Sequence, residues 1–151
     1  MILLGVQIRK NLLSFMDVLV SSPYLLLTSC IVMPAKATLF DHRANKIHDF
    51  GTFPRNTIRF NPQGRIICIA GFGNLAGNVD FFDRKTLKKI ASIDASGSAA
   101  CEWSPCGRYI LTATLSPRLR VDNGYKLWHY TGVLVHQEEI HELYQVSKMS
   151  S

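Results

Sequence analysis

The sequence predicts an all-β chain assembled from repeated four-stranded units, on three observations. A block of residues recurs at a spacing of 43, both copies carry proline and glycine at the same offsets, and the apolar runs between these breaks are too short for helices. Length and composition permit such a fold, because 151 residues that are 47% hydrophobic and 19% charged describe a globular domain and not a disordered tail or a rod.

The repeat is plain in the letters. Ile58 to Gly71 reads IRFNPQGRIICIAG and Cys101 to Thr114 reads CEWSPCGRYILTAT, which sets Phe60 on Trp103, Pro62 on Pro105, Gly64 on Gly107 and Arg65 on Arg108. VDFFD at Val79 to Asp83 matches YKLWH at Tyr125 to His129 with an offset of 46, so three extra residues fall in the intervening loop, and ATLFD at Ala37 to Asp41 is a third, partial copy 42 residues upstream. Four short strands per ~40 to 45 residues is the spacing of a β-propeller blade. The expected fold is therefore a partial β-propeller of about two complete four-stranded blades with partial flanking blades.

In chain order, residues 1–32 come first and differ from the rest. They hold twenty apolar residues and only three charges, Arg9, Lys10 and Asp17. A membrane-spanning helix wants about 20 consecutive apolar residues, and Asp17 and Pro23 divide this stretch. A signal peptide would close its apolar run on small residues, and no such cleavage pattern follows Arg9 and Lys10. Residues 1–32 are expected to be an apolar leader outside the blades, 33–147 the blades, and 148–151 a tail.

Within a blade the first strand ends on an aromatic, Phe60 or Trp103, and runs into x-P-x-G. There proline presets φ and glycine supplies the permissive position of a hairpin turn. The second strand, 65–70 or 108–114, is rich in β-branched and apolar residues, as a strand buried on both faces should be. The third closes on an aromatic followed by a polar residue, Phe40-Asp41, Phe82-Asp83 or Trp128-His129, and the fourth is an amphipathic edge such as 88–93. Residues 143–146 read as the first strand of a further blade.

The blocks resemble WD40-like blades, with Phe-Asp or Trp-His at the position of the Trp-Asp pair. Four longer stretches, MPAKATLFD, FGTFPRN, AGFGNLAGNVDFFD and TATLSPRLRVDNGYKLWHYTG, resemble the eukaryotic translation initiation factor 2A family over about three quarters of the chain. The b subunit of initiation factor 3 has a related propeller, and the Gly-Phe-Gly-Asn run at 71–74 and the Pro-Arg-Leu-Arg run at 117–120 favour factor 2A. Family members also carry a lysine-rich C-terminal extension that this sequence lacks. The chain is accordingly expected to be a fragment or a truncated or mis-spliced product, unless self-association completes the ring.

The resemblance implies a non-GTPase translation initiation factor in the cytoplasm. Its implied partners are the small ribosomal subunit, initiator methionyl-tRNA and mRNA, with other initiation factors possible and no membrane. The alternatives are a protein-interaction scaffold, as the related factor 3 propeller is, or an inactive truncated chain. Composition adds only charge: seventeen Lys and Arg against eleven Asp and Glu give +6, which favours polyanionic partners.

No catalytic constellation stands out, so the chain is expected to be a binding module and not an enzyme. The strand-plus-glycine run IICIAGFGNLAG mimics a dinucleotide fingerprint, but that motif needs a helix directly after it. Here 78–83 reads as a strand, which makes the run a hairpin loop. Four cysteines without a C-x-x-C pair spell out neither a zinc site nor a disulfide framework, and His42, His48, His129, His136 and His141 are scattered. No metal or cofactor is expected. Blade geometry sorts the loop residues, because second-to-third and fourth-to-first connections emerge on one face. Arg55, Asn56, Asn74, Arg118, Arg120 and Asn123 then share that face and form a candidate RNA- or ribosome-binding cluster, the arginines suited to phosphate by their planar fork. Lys85, Lys88 and Lys89 with Arg84 fall on or near the opposite face.

Overall fold

The computed structural model describes residues 18–21, 24–29, 34–41, 43, 45–116, 123–141 and 143–145, the first two segments as backbone alone. Twelve strands form three four-stranded sheets, and no helix occurs among the described residues. The first sheet holds β1 (Val18–Ser21), β2 (Tyr24–Ser29), β3 (Ala35–Asp41) and β4 (Lys46–Phe53). The second holds β5 (Thr57–Phe60), β6 (Ile66–Ala70), β7 (Asn78–Asp83) and β8 (Lys89–Asp94). The third holds β9 (Ala100–Trp103), β10 (Tyr109–Thr114), β11 (Gly124–His129) and β12 (Leu134–Glu139). Neighbours run antiparallel in chain order in every sheet, which is the up-and-down order of propeller blades.

Two boundaries differ from the sequence expectation. The composition break at Met33 puts residues 1–32 outside the blades, yet β1 and β2 come from that stretch and pair with β3, so the upstream sheet has four strands where half a blade is expected. Its two short apolar runs on either side of Ser22-Pro23 are a strand–break–strand pattern that overall composition conceals. At the other end, 143–145 form no strand; the Leu143 carbonyl accepts the Ser116 amide at 2.7 Å instead. A strand needs a ladder to join, and no described strand lies beside these residues.

The turns follow the sequence closely. In Asn61-Pro62-Gln63-Gly64 the Gly64 amide donates to the Asn61 carbonyl at 2.8 Å, and in the second copy Gly107 donates to Ser104 at 2.9 Å. The aromatic–polar pair that closes each third strand divides its labour. Phe82 packs in the core, while Asp83 accepts the Lys85 and Thr86 amides at 2.7 and 3.0 Å and fixes the next turn. Asp41 does the same for Arg43 and Asn45, both at 2.8 Å, and His129 meets the Thr131 hydroxyl at 2.8 Å. Side chains of this kind stand in for a backbone turn, which is why they recur there.

The sheets pack face to face through two apolar clusters. Ala37, Leu39 and Phe50 of the first sheet meet Ile58, Ile67, Ile69 and Phe82 of the second. Ile66, Cys68, Ala70, Val79 and Phe81 of the second meet Trp103 and Ile110 of the third, with Trp128 and Tyr130 packed against them. Strand alternation sends odd residues of β6 to one cluster and even residues to the other, so all five are buried. Outer strand β12, by contrast, is exposed at every residue.

Candidate nucleic-acid interface

The face that carries the second-to-third and fourth-to-first connections is built from the β4–β5 link at 54–56 and the β6–β7 loop at 71–77. The β8–β9 loop and the mouth of the β10–β11 loop lie alongside. Asn56 fastens the first two together: its Nδ2 donates to the Phe72 carbonyl and its Oδ1 accepts the Phe72 amide, each at 2.9 Å. This pair copies a strand-to-strand exchange and extends the β5–β6 ladder by one step. Glycine is required where the loops touch. A Cβ on Gly71 would run into the Pro54 carbonyl, and one on Gly77 would lie 2.5 Å from the Ser96 Cα.

Most of the loop's amides are already engaged by neighbouring protein groups. Gly71 donates to Asn78 at 3.0 Å, Gly73 to Ser98 at 3.3 Å, Leu75 to Phe72 at 3.4 Å and Gly77 to Gly71 at 2.8 Å. Strand β7 follows directly. A dinucleotide site needs free amides at a helix N-terminus, and this loop leads into strand β7 with most of its amides already engaged.

Arg55 departs from the exposed loop cation that its position implies. It is 8% exposed, its Nη2 meets Asp80 Oδ2 at 2.6 Å, its Nη1 donates to the Pro54 carbonyl at 3.2 Å, and its guanidinium carbon stands 5.7 Å from the Phe53 ring centre. Its Nε is buried without a hydrogen-bond partner among the described residues. Asp80, 4% exposed, also accepts the Ser92 hydroxyl at 2.5 Å and Lys89 Nζ at 3.1 Å. Burial pushes this carboxyl's pKa upward, but the hydrogen bonds from Ser92, Arg55 and Lys89 reverse that and hold it below the usual carboxylate value. Sequence reasoning missed Asp80. The signal was an acid inside the apolar strand VDFFD, since an acid there has to be paired.

The remaining residues of the cluster divide. Asn74 is exposed at the tip of the β6–β7 loop, and Asn123 is buried at the entry to β11, its carbonyl accepting the Ile140 amide at 3.0 Å. Arg118 and Arg120 lie outside the described residues. The face thus brings Arg55, Asn56 and Asn74 onto adjoining loops, with Asn123 at the mouth of the equivalent loop one blade on. Trp128 and Tyr130 are half-buried and pack against the core between the second and third blades, with Trp128 Nε1 donating to the Thr112 hydroxyl at 3.0 Å, while the Tyr125 hydroxyl donates to Glu138 at 2.6 Å. Among the described residues no three His, Cys, Asp or Glu side chains converge as metal ligands, and no helix is long and apolar enough to cross a membrane.

Comparison with known proteins decides the family. The family model described as eukaryotic translation initiation factor eIF2A matches residues 26–146. The chain belongs to the eukaryotic translation initiation factor 2A family. Initiation factor 2A of Schizosaccharomyces pombe is 50% identical over 114 residues, which cover 75% of this chain and 20% of that protein. A solved structure titled as that of the eukaryotic initiation factor is 46% identical with a TM-score of 0.78, over 82% of this chain and 31% of that one. The b subunit of initiation factor 3 from Eremothecium gossypii is more distant, 29% identical over 56% of this chain and 14% of that protein. The β-propeller domain of a Pyrococcus furiosus protease, 15% identical with a TM-score of 0.54 over 84% of this chain and 43% of that one, shares the fold alone. Among relatives of the factor 2A family, this chain spans about a fifth of the length of the S. pombe protein.

Proposed function

We propose that this chain acts in translation initiation, in the cytoplasm, by binding the small ribosomal subunit, initiator methionyl-tRNA and mRNA through the loop face of its blades. Membership of the initiation factor 2A family across residues 26–146 carries this reading. In it, Arg118, Arg120 and Asn74 make the outward contacts, while Arg55, Asn56 and Asn123 hold the loops beneath them. Residues 33–147 supply the contacts in this reading.

The test is binding of the 151-residue chain to purified small ribosomal subunits over a range of salt. Reversing Arg118 and Arg120 together to Glu is expected to weaken binding at least tenfold, and to flatten the slope of log K against log salt by about 1.4 to 1.8, the value for two lost phosphate contacts. Unchanged affinity and slope would remove the assignment. A second reading, a protein scaffold, is favoured by the similarity to the b subunit of initiation factor 3. It expects a protein partner that resists nuclease treatment and is indifferent to those substitutions.

A further inference from the structure

On the opposite face, where the first-to-second and third-to-fourth turns emerge, a crevice of about 370 Å³ opens between the first and second blades. Leu39 of β3, Ile47 of β4 and Leu87 of the β7–β8 turn give it an aliphatic floor, and Arg65, Arg84, Lys85 and Asp83 surround it. We propose that this crevice docks an acidic peptide segment of a partner protein, anchored by one apolar side chain on the Ile47–Leu87 floor.

Charge complementarity is the first support. Three cations stand against one carboxylate, and Asp83 Oδ1 is already bound by the Lys85 and Thr86 amides at 2.7 and 3.0 Å. Arg65 and Lys85 are exposed, and the Arg84 amide donates to the Arg65 carbonyl at 2.8 Å, so the two basic segments are held side by side. Arginine in such a setting takes a carboxylate bidentately.

The floor is the second support. Ile47 is 40% exposed on β4, a strand of which only Phe50 is buried in the core. Leu87 adopts φ of 59°, a left-handed conformation that is unfavourable for a residue with a Cβ and that glycine or asparagine would accept more readily. The leucine there presents an aliphatic side chain, which packs beside the Leu39–Phe82 cluster. No aromatic ring lines the crevice among the described residues. Nucleic-acid bases are held by stacking on such rings, whereas an aliphatic floor with a cationic rim matches a side chain flanked by acids.

The experiment pans a phage library of random dodecapeptides on the 151-residue chain and measures the enriched peptides, fluorescein-labelled, by anisotropy. Enriched sequences are expected to carry acidic residues around one Leu, Ile or Phe. Their Kd should rise at least tenfold with Arg65→Glu/Lys85→Glu and with Ile47→Ser, and severalfold on the unaltered chain between 50 and 500 mM NaCl. A twelve-nucleotide uridine RNA should not compete. The proposal fails if nothing is enriched, if enriched peptides lack acids, if either variant or salt leaves Kd unchanged, or if the RNA displaces them. Arg118→Glu/Arg120→Glu, the change that tests the loop-face reading, should leave peptide binding intact, which keeps the two outcomes separate.

Discussion

Asp80 accepts from three side chains in the space between two blades, and its partner Arg55 is buried with it. Removing one member strands the other charge, so Asp80→Ala is expected to cost about 3–5 kcal/mol, while Arg55→Met with Asp80→Leu, which removes both charges, should recover most of it. Urea midpoints of the three variants check this. The pH dependence has a definite sign. Because the folded state holds the Asp80 carboxyl below its ordinary value, its contribution is complete above about pH 4, where the unfolded carboxyl ionises, and is lost as pH falls through the lower folded value. Arg55 shows what was legible at this scale and what was not. Its loop position could be read from the repeat, but its partner lies 25 residues away, and the letters VDFFD do not say that the strand turns Asp80 toward Arg55.

At the scale of elements, the turn that closes β7 depends on one side chain. Asp83→Ala removes the acceptor of two amides at 2.7 and 3.0 Å and is expected to destabilise by about 1–2 kcal/mol. Asp83→Asn keeps an oxygen in place and should cost less than half of that; thermal unfolding of both distinguishes a capping role from a charge role. The strands themselves were readable because period-two patterning and proline–glycine breaks act locally, and the third strands end at Asp41, Asp83 and His129 as the repeat implies. Residues 18–29 and 143–145 depart from the sequence expectation for a common reason. Pairing is a property of the neighbour, so an apolar run becomes a strand when a ladder such as β3 stands beside it and remains irregular when none does.

For the whole molecule, stability is expected to follow nearest neighbours, as in other stacked repeats. Ile67 belongs to the cluster between the first and second blades and Ile110 to the one between the second and third, and both are fully buried. Each change to Ala should cost about 2–5 kcal/mol, and the double variant should equal their sum within about 0.5 kcal/mol, measured by urea unfolding. A clear excess would mean that the middle blade transmits strain between its two faces. Links at the turn face also cross between blades, Asn61 Nδ2 to the Gly107 carbonyl and Gln63 Nε2 to the Pro105 carbonyl, each at 3.2 Å. The outermost strand has no such neighbour among the described residues. β12 is paired with β11 on one side only and carries exposed apolar side chains at Leu134 and Val135, with Val133 just before it. Its open backbone is a template for adding a foreign strand, and Glu138 and Glu139 at its far end act as gatekeepers, since two copies stacking there would bring like charges together. In concentrated solution, self-association through this edge is therefore expected to start from the Val133 end, away from the two glutamates.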